Sequence, residues 1–205
     1  MHDLTSIGMK KGLLYETVLS TENPDKTPNA APIGVICKDK NEIVLYLYEG
    51  TQTVENIKSN KIFTVNILKD PLIFVECTIG DLSSDKFKLH ENGFYIENTD
   101  AFFNAEVKDI KEVQKEDKIG KSKLNIITAQ VTEIITKNEC VKPLNRAIFA
   151  IIESLVYLTR IDKVNEDTSK LYLNRINEMS RLVNRVGGLN DKEAMKKILK
   201  HVQEK

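Results

Sequence analysis

The chain has 205 residues, with 30 Lys+Arg against 30 Asp+Glu and a formal net charge of zero. No apolar run approaches the roughly 18 residues a membrane span needs, and the stretch from Met1 to Lys11 lacks the apolar core of a secretory signal. A balanced charge excludes a general nucleic-acid binder, because phosphate neutralisation needs a basic surface.

The zero hides a split. Residues 1–140 carry 17 basic and 22 acidic side chains, and residues 141–205 carry 13 and 8. All five arginines (Arg146, Arg160, Arg175, Arg181, Arg185) fall in the second segment. Cys37, Cys77 and Cys140 are scattered and odd in number, which fits buried thiols in a reducing cytoplasm. No Cys-x-x-Cys is present and His2, His90 and His201 are isolated in sequence, so no metal site is expected.

In chain order, Leu13–Leu19, Pro32–Cys37, Ile43–Tyr48, Ile62–Leu68 and Leu72–Cys77 are short apolar or alternating runs that predict strands. A helix over Thr53–Asn60 interrupts them. Asn23-Pro24-Asp25, Asp70-Pro71 and Glu91-Asn92-Gly93 read as connectors. Residues 79–100 lack periodicity and read as a long excursion with a helical turn at Ser83–Leu89. Phe102–Val113 and Leu124–Ile135 predict two longer strands. Many short strands with close turns predict an antiparallel barrel or sandwich.

After residue 142 the period changes. Leu144–Ile161 is apolar on almost every side and predicts a buried helix. A second helix, capped by Asp167 or Thr168, carries the stripe Tyr172, Ile176, Met179, Val183 and Val186 and stops at Gly187-Gly188. A third, capped by Asn190 or Asp191, presents Met195, Ile198, Leu199 and Val202. The expectation is an α+β chain: a β domain over residues 1–140, then a three-helix domain over 141–205.

No nucleophile elbow, zinc-protease helix or Walker loop is present, so any redox chemistry needs a cofactor to carry it. Two segments nevertheless stand out. In Asn29-Ala30-Ala31-Pro32-Ile33-Gly34, small residues let a flat ligand approach the backbone, and Asn29 can bond a ring edge; the plain alternative is a turn leading into a strand. In Tyr48-Glu49-Gly50-Thr51-Gln52-Thr53-Val54-Glu55-Asn56, a glycine turn and two threonines open a helix. That arrangement favours an anion; the plain alternative is a threonine cap.

In the same order, Gly12–Val18, Pro28–Val35, Tyr48–Ile57 and Phe63–Ile67 resemble an archaeal family of uncharacterised flavoproteins. That family belongs to the FMN-binding split-barrel superfamily, with flavin reductases and pyridoxamine-phosphate oxidases. Asn145-Arg146-Ala147 and Leu158-Thr159-Arg160 resemble its helical C-terminal domain. The resemblance implies a six-stranded split barrel that forms a homodimer, with FMN near the subunit interface. It implies phosphate contacts from Thr51 and Thr53, with Asn56 fixing the loop. Asn29, Ala30, Ala31, Pro32 and Ile33 would lie along the isoalloxazine. Tyr48, Asn66 and Thr17 are further candidates, each equally explained as a strand position.

An arginine-free barrel leaves the phosphate without a guanidinium. Arg146 or Arg160, placed on one face of the predicted long helix, could complete it from the same or the partner chain; carboxylates of the acidic segment are the other destination. Functionally, the expectation is an FMN-binding flavoprotein, either an oxidoreductase of unknown substrate or a non-catalytic flavin or deazaflavin module. A structural protein with an empty barrel is the remaining alternative.

Overall fold

Four of the five short runs, all but Leu72–Cys77, become strands of one closed sheet. The computed structural model describes residues 2–91, 93–117 and 120–203; Asn92 of the Glu91-Asn92-Gly93 connector lies outside them. Two compact units are present, Met1–Leu144 and Asn145–Lys205.

The first unit contains β1 (Leu14–Glu22), β2 (Pro28–Asp39), β3 (Glu42–Tyr48), α1 (Gln52–Asn60), β4 (Ile62–Ile67), α2 (Pro71–Ile79), β5 (Phe87–His90), β6 (Gly93–Ile96), β7 (Ala101–Asp117) and β8 (Gly120–Thr136). Six strands close a barrel in the order β1-β2-β3-β8-β7-β4, and every pairing is antiparallel. Inside sit Leu19, Val35, Leu45, Val65, Phe103 and Ile127, all fully buried, and Val54 and Ile57 of α1 join the same core. A second apolar cluster lies elsewhere in this unit. It joins Val18 and Leu68 to Ile73 and Cys77 of α2, and to Phe87 and Ile96 of the β5–β6 hairpin.

The α+β split-barrel expectation therefore stands, with corrections. Leu72–Cys77 is helix α2, not a strand. Asp70 accepts the Leu72 N–H at 2.9 Å and Pro71 occupies the first turn, so the dipeptide read as a connector is a helix start. Residues Asn29–Gly34 lie inside β2, not in a turn before it. The excursion holds a 3-10 turn at Ser84–Lys86 and then the hairpin β5–β6. Gly93 opens β6 where a Cβ would stand 2.9 Å from Thr64 Oγ1, so the hairpin approaches β4 too closely for a side chain there.

The second unit contains α3 (Ala147–Leu158), α4 (Glu166–Val186) and α5 (Leu189–Gln203). Ala147, Ala150, Ile151, Ile176, Val183, Val186, Met195 and Ile198 are buried. Asn145 ties two helices together: its carbonyl oxygen accepts the Ala147 N–H and its amide donates to the Val186 carbonyl. The caps differ from expectation. Asn165 caps α4, accepting the Thr168 N–H at 2.9 Å, while Asp167 lies inside the first turn. Asn190 and Asp191 lie within α5, where the Asp191 carboxylate accepts the Gly188 N–H.

The first helix departs most from expectation. It spans twelve residues, and Ile148, Phe149, Ile152 and Leu155 are 44–55% exposed, so it is not buried on every side. Among the described residues, no helix is long and apolar enough to cross a membrane.

Candidate functional site

The site builds up from a single cross-strand pair. Thr21 of β1 faces Asn29 of β2 in register, where the barrel meets the start of α1. Asn29 Nδ2 donates to Thr21 Oγ1 at 3.0 Å and to Thr53 Oγ1 at 3.2 Å. Asn56, one turn further along α1, donates from Nδ2 to the same Thr21 oxygen at 3.0 Å and to Asn23 Oδ1 at 2.8 Å. Its own Oδ1 accepts from Gln52 Nε2 at 2.8 Å. Thr21, Thr53 and Asn56 are buried, so each amide and hydroxyl needs these partners. Four segments are thereby locked together: β1, β2, the β1–β2 turn and the first turn of α1.

That locking fixes the helix start. Thr51 caps α1, its hydroxyl accepting the Val54 N–H while its carbonyl takes those of Val54 and Glu55. Among the described residues, the N–H groups of Gln52 and Thr53 are left without an acceptor. Two backbone donors at the positive end of a nine-residue helix, beside the hydroxyls of Thr51 and Thr53, suit an anion. Next to them opens a cleft of about 440 Å³, lined by Asn23, Thr27, Pro28, Asn29, Ala30, Gln52, Asp81 and Leu82. That size falls among small-molecule sites. Of the half-buried stretch Asn29–Ile33, Asn29 and Ala30 line it, while Ala31, Pro32 and Ile33 continue along β2 beyond its lining.

The nearby cation is already engaged. Lys58 Nζ lies 2.9 Å from Glu49 and 2.8 Å from Glu112. Those two carboxylates, Glu112 foremost, hold its ammonium above the ordinary lysine value. Hydrogen bonds from Asn125 and then Lys58 hold the Glu49 carboxyl below the usual range. With Lys58 taken, what α1 itself offers an anion is backbone N–H groups and hydroxyls.

The remaining sequence candidates fall elsewhere. Thr17 is fully buried and donates its hydroxyl to the Ile33 carbonyl at 2.9 Å. Asn66 is likewise buried: Nδ2 donates to the Val18 carbonyl and Ser20 Oγ, and Oδ1 accepts the Ile96 N–H. Both use their polar atoms to hold the barrel. Tyr48 is about half exposed at the end of β3.

Arg146 and Arg160 do not share a helical face. Arg146 precedes α3 and Arg160 follows its cap, Thr159, because the helix is shorter than its apolar run suggested. The two flank a segment about 18 Å long at 1.5 Å per residue. Arg175 donates to the Tyr157 hydroxyl at 2.9 Å and lies over that ring. Burial pushes the Cys37 and Cys77 thiols up to about 11, so both stay protonated, whereas Cys140 is exposed.

Sequence reasoning missed Thr21, Asn23 and Gln52. Gln52 and Asn56 sit four residues apart on one helix, a spacing that joins side chains, so this pair was readable. Thr21 and Asn23 reach Asn56 across more than thirty residues, and no local pattern reports such a contact.

A closed antiparallel split barrel with a polar strand–helix corner, followed by a helical unit, defines the class: an α+β split-barrel protein. Residues 15–135 match the N-terminal domain model of a protein family of unknown function, DUF447, and residues 145–200 match the model of its second domain. The chain belongs to that family. An uncharacterised protein, MJ1453, from Methanocaldococcus jannaschii is 29% identical over 93% of this chain and 98% of its own length. The crystal structure of an FMN-bound protein of the same family, MM1853 from Methanosarcina mazei, superposes with a TM-score of 0.56 at 28% identity, covering 97% of this chain and 99% of that one. A putative flavin reductase with a split-barrel domain from Shewanella frigidimarina shares the fold, with a TM-score of 0.51 at 10% identity over 64% of this chain and 71% of its own.

Proposed function

We propose that this protein is an FMN-binding flavoprotein and that the Asn29–Thr21–Asn56 corner is where it holds the cofactor. The observation that carries the reading is the pair of open N–H groups at the start of α1, fixed by the buried amide network beside a cleft of about 440 Å³. The FMN-bound family member supports it.

In this reading the Gln52 and Thr53 N–H groups and the Thr51 and Thr53 hydroxyls donate to the phosphate. Asn56 touches no ligand; its three hydrogen bonds hold the loop in shape. Asn29, Ala30, Ala31, Pro32 and Ile33 flank the isoalloxazine, with Asn29 Oδ1 facing a ring N–H. A phosphate bears nearly two negative charges, so a guanidinium from Arg146 or Arg160, of the same or the partner chain, completes its neutralisation. The opposite ends of α3 make the two arginines alternatives rather than a pair. Bound FMN supplies two-electron transfer between a donor and an acceptor, which makes an oxidoreductase the favoured activity. The assembly is a homodimer with FMN near the interface, working in the cytoplasm; the protonated, buried Cys37 and Cys77 are consistent with a reducing compartment.

The visible spectrum of the purified protein tests the binding. Yellow protein with one flavin per chain is expected, and failure to take up added FMN overturns the reading. Bleaching by NADH or NADPH then separates an oxidoreductase from a non-catalytic flavin module.

A further inference from the structure

His90 is isolated in sequence but not in space. It ends β5, and the ring is held edge-on by Phe102, with centroids 5.4 Å apart, and by Tyr95 at 6.4 Å. Its Nε2 lies 3.2 Å from Glu133 Oε2 of β8. The two atoms nevertheless miss hydrogen-bond alignment, and the buried Nε2 has no hydrogen-bond partner. A ring nitrogen and a carboxylate oxygen this close but out of line are poorly arranged as donor and acceptor. They are well arranged as two ligands of one ion. Ligand atoms about 2.1 Å from a common centre, subtending about 90–110°, stand roughly 3.0–3.4 Å apart.

Further features fit a coordination site. Glu91 brings a third donor, and one atom from each of His90, Glu91 and Glu133 lies within 4.8 Å of the others. Glu91 sits on the exposed hairpin turn with φ 39°. Closing it onto an ion takes a shift of the order of 1 Å, given bonds of about 2.1 Å. Behind Glu133 runs an orienting chain across neighbouring strands. Asn104 Nδ2 donates to Glu133 Oε2 at 3.1 Å, and Thr64 Oγ1 donates to Asn104 Oδ1 at 2.9 Å. Asn104 pairs with Glu133 just before a register shift in β7, the kind of irregularity that re-aims side chains. Ligating carboxylates are typically fixed by such partners.

We propose that His90, Glu91 and Glu133 form a binding site for a divalent first-row transition ion of the zinc type. One imidazole and two carboxylates neutralise the ion's charge, and three protein ligands leave positions open to water or another small ligand. The site lies on the β5–β6 hairpin and on β8, and shares no residue with the Thr21–Asn56 corner.

The test uses the full-length chain, stripped with chelator and titrated with Co²⁺ and then Zn²⁺. Calorimetry and the visible Co²⁺ spectrum read binding, so the outcome does not depend on flavin. The wild type should take up one ion per chain, with Zn²⁺ displacing Co²⁺. His90→Ala should weaken binding at least tenfold, and the exposed Glu91→Ala, which carries little folding risk, should weaken it as well. Asn104→Ala should cost about 10–100-fold, as orienting partners do. His201→Ala, on the helical unit, should leave binding unchanged. No uptake by the wild type, or equal uptake by the wild type, His90→Ala and Glu91→Ala, overturns the proposal.

Discussion

The two units handle polarity in opposite ways. The barrel unit buries Thr17, Ser20, Thr21, Thr53, Asn56, Thr64, Asn66, Thr99, Asn104 and Asn125, most of them bonded to one another or to strand backbone. The helical unit buries Ser154 and Ser180 among its polar residues and leaves Ile148, Phe149, Ile152 and Leu155 exposed. Buried polar networks are costly unless every member is satisfied, so they occur where geometry has to be exact in a particular place. The order of the barrel unit thus rests on buried hydrogen bonds as well as apolar packing, and that of the helical unit mainly on an apolar stripe.

The largest expected effect tests the barrel core. Phe103→Ala should lower stability by about 3–5 kcal/mol in urea unfolding, because Phe103 is fully buried and its loss leaves a cavity. Asn66→Ala comes next, at about 2–3 kcal/mol, because it strands the buried Ile96 N–H and Ser20 hydroxyl. A loss under about 0.5 kcal/mol there would break the contrast, since surface changes cost that little. Thr51→Ala should cost about 1 kcal/mol as a lost helix cap, and should also weaken FMN binding.

A pH effect is expected from two buried thiols of the barrel unit. Burial holds the Cys37 and Cys77 thiols protonated up to about 11, above the unfolded value near 8.5. The folded state then binds more protons than the unfolded state between those values, so the contribution of these two thiols to stability is complete below about pH 8.5 and falls as pH rises toward 11. Denaturant midpoints across that range should decline less steeply in Cys37→Ala. The smallest effect belongs to the helical unit: Ile152→Ser, about half exposed, should change stability by no more than about 0.5 kcal/mol. A larger loss would mean that the outer side of α3 is covered in solution.

These contrasts also explain what could be read in advance. The barrel strands were legible because alternation and turn residues are local signals, and so was Thr51 at the start of α1. Leu72–Cys77 was not, because a short continuous apolar run carries no period; the Asp70-Pro71 start signal was the clue that outweighed it. The uniform hydrophobicity of α3 hid its exposed side in the same way, and with it the separation of Arg146 from Arg160. At the candidate site, Asn29, Thr51 and Thr53 stood out by type and position, and Asn56 through the family resemblance. Their network did not, because Thr21 reaches Asn56 across 35 positions of chain.

Side-by-side titration of the full chain with FMN and with riboflavin, which lacks the phosphate, tests the central claim most directly. The account predicts one FMN per chain, bound at least tenfold more tightly than riboflavin, with that advantage reduced in Thr53→Val. Absence of FMN binding, or equal affinity for the two flavins, would contradict it.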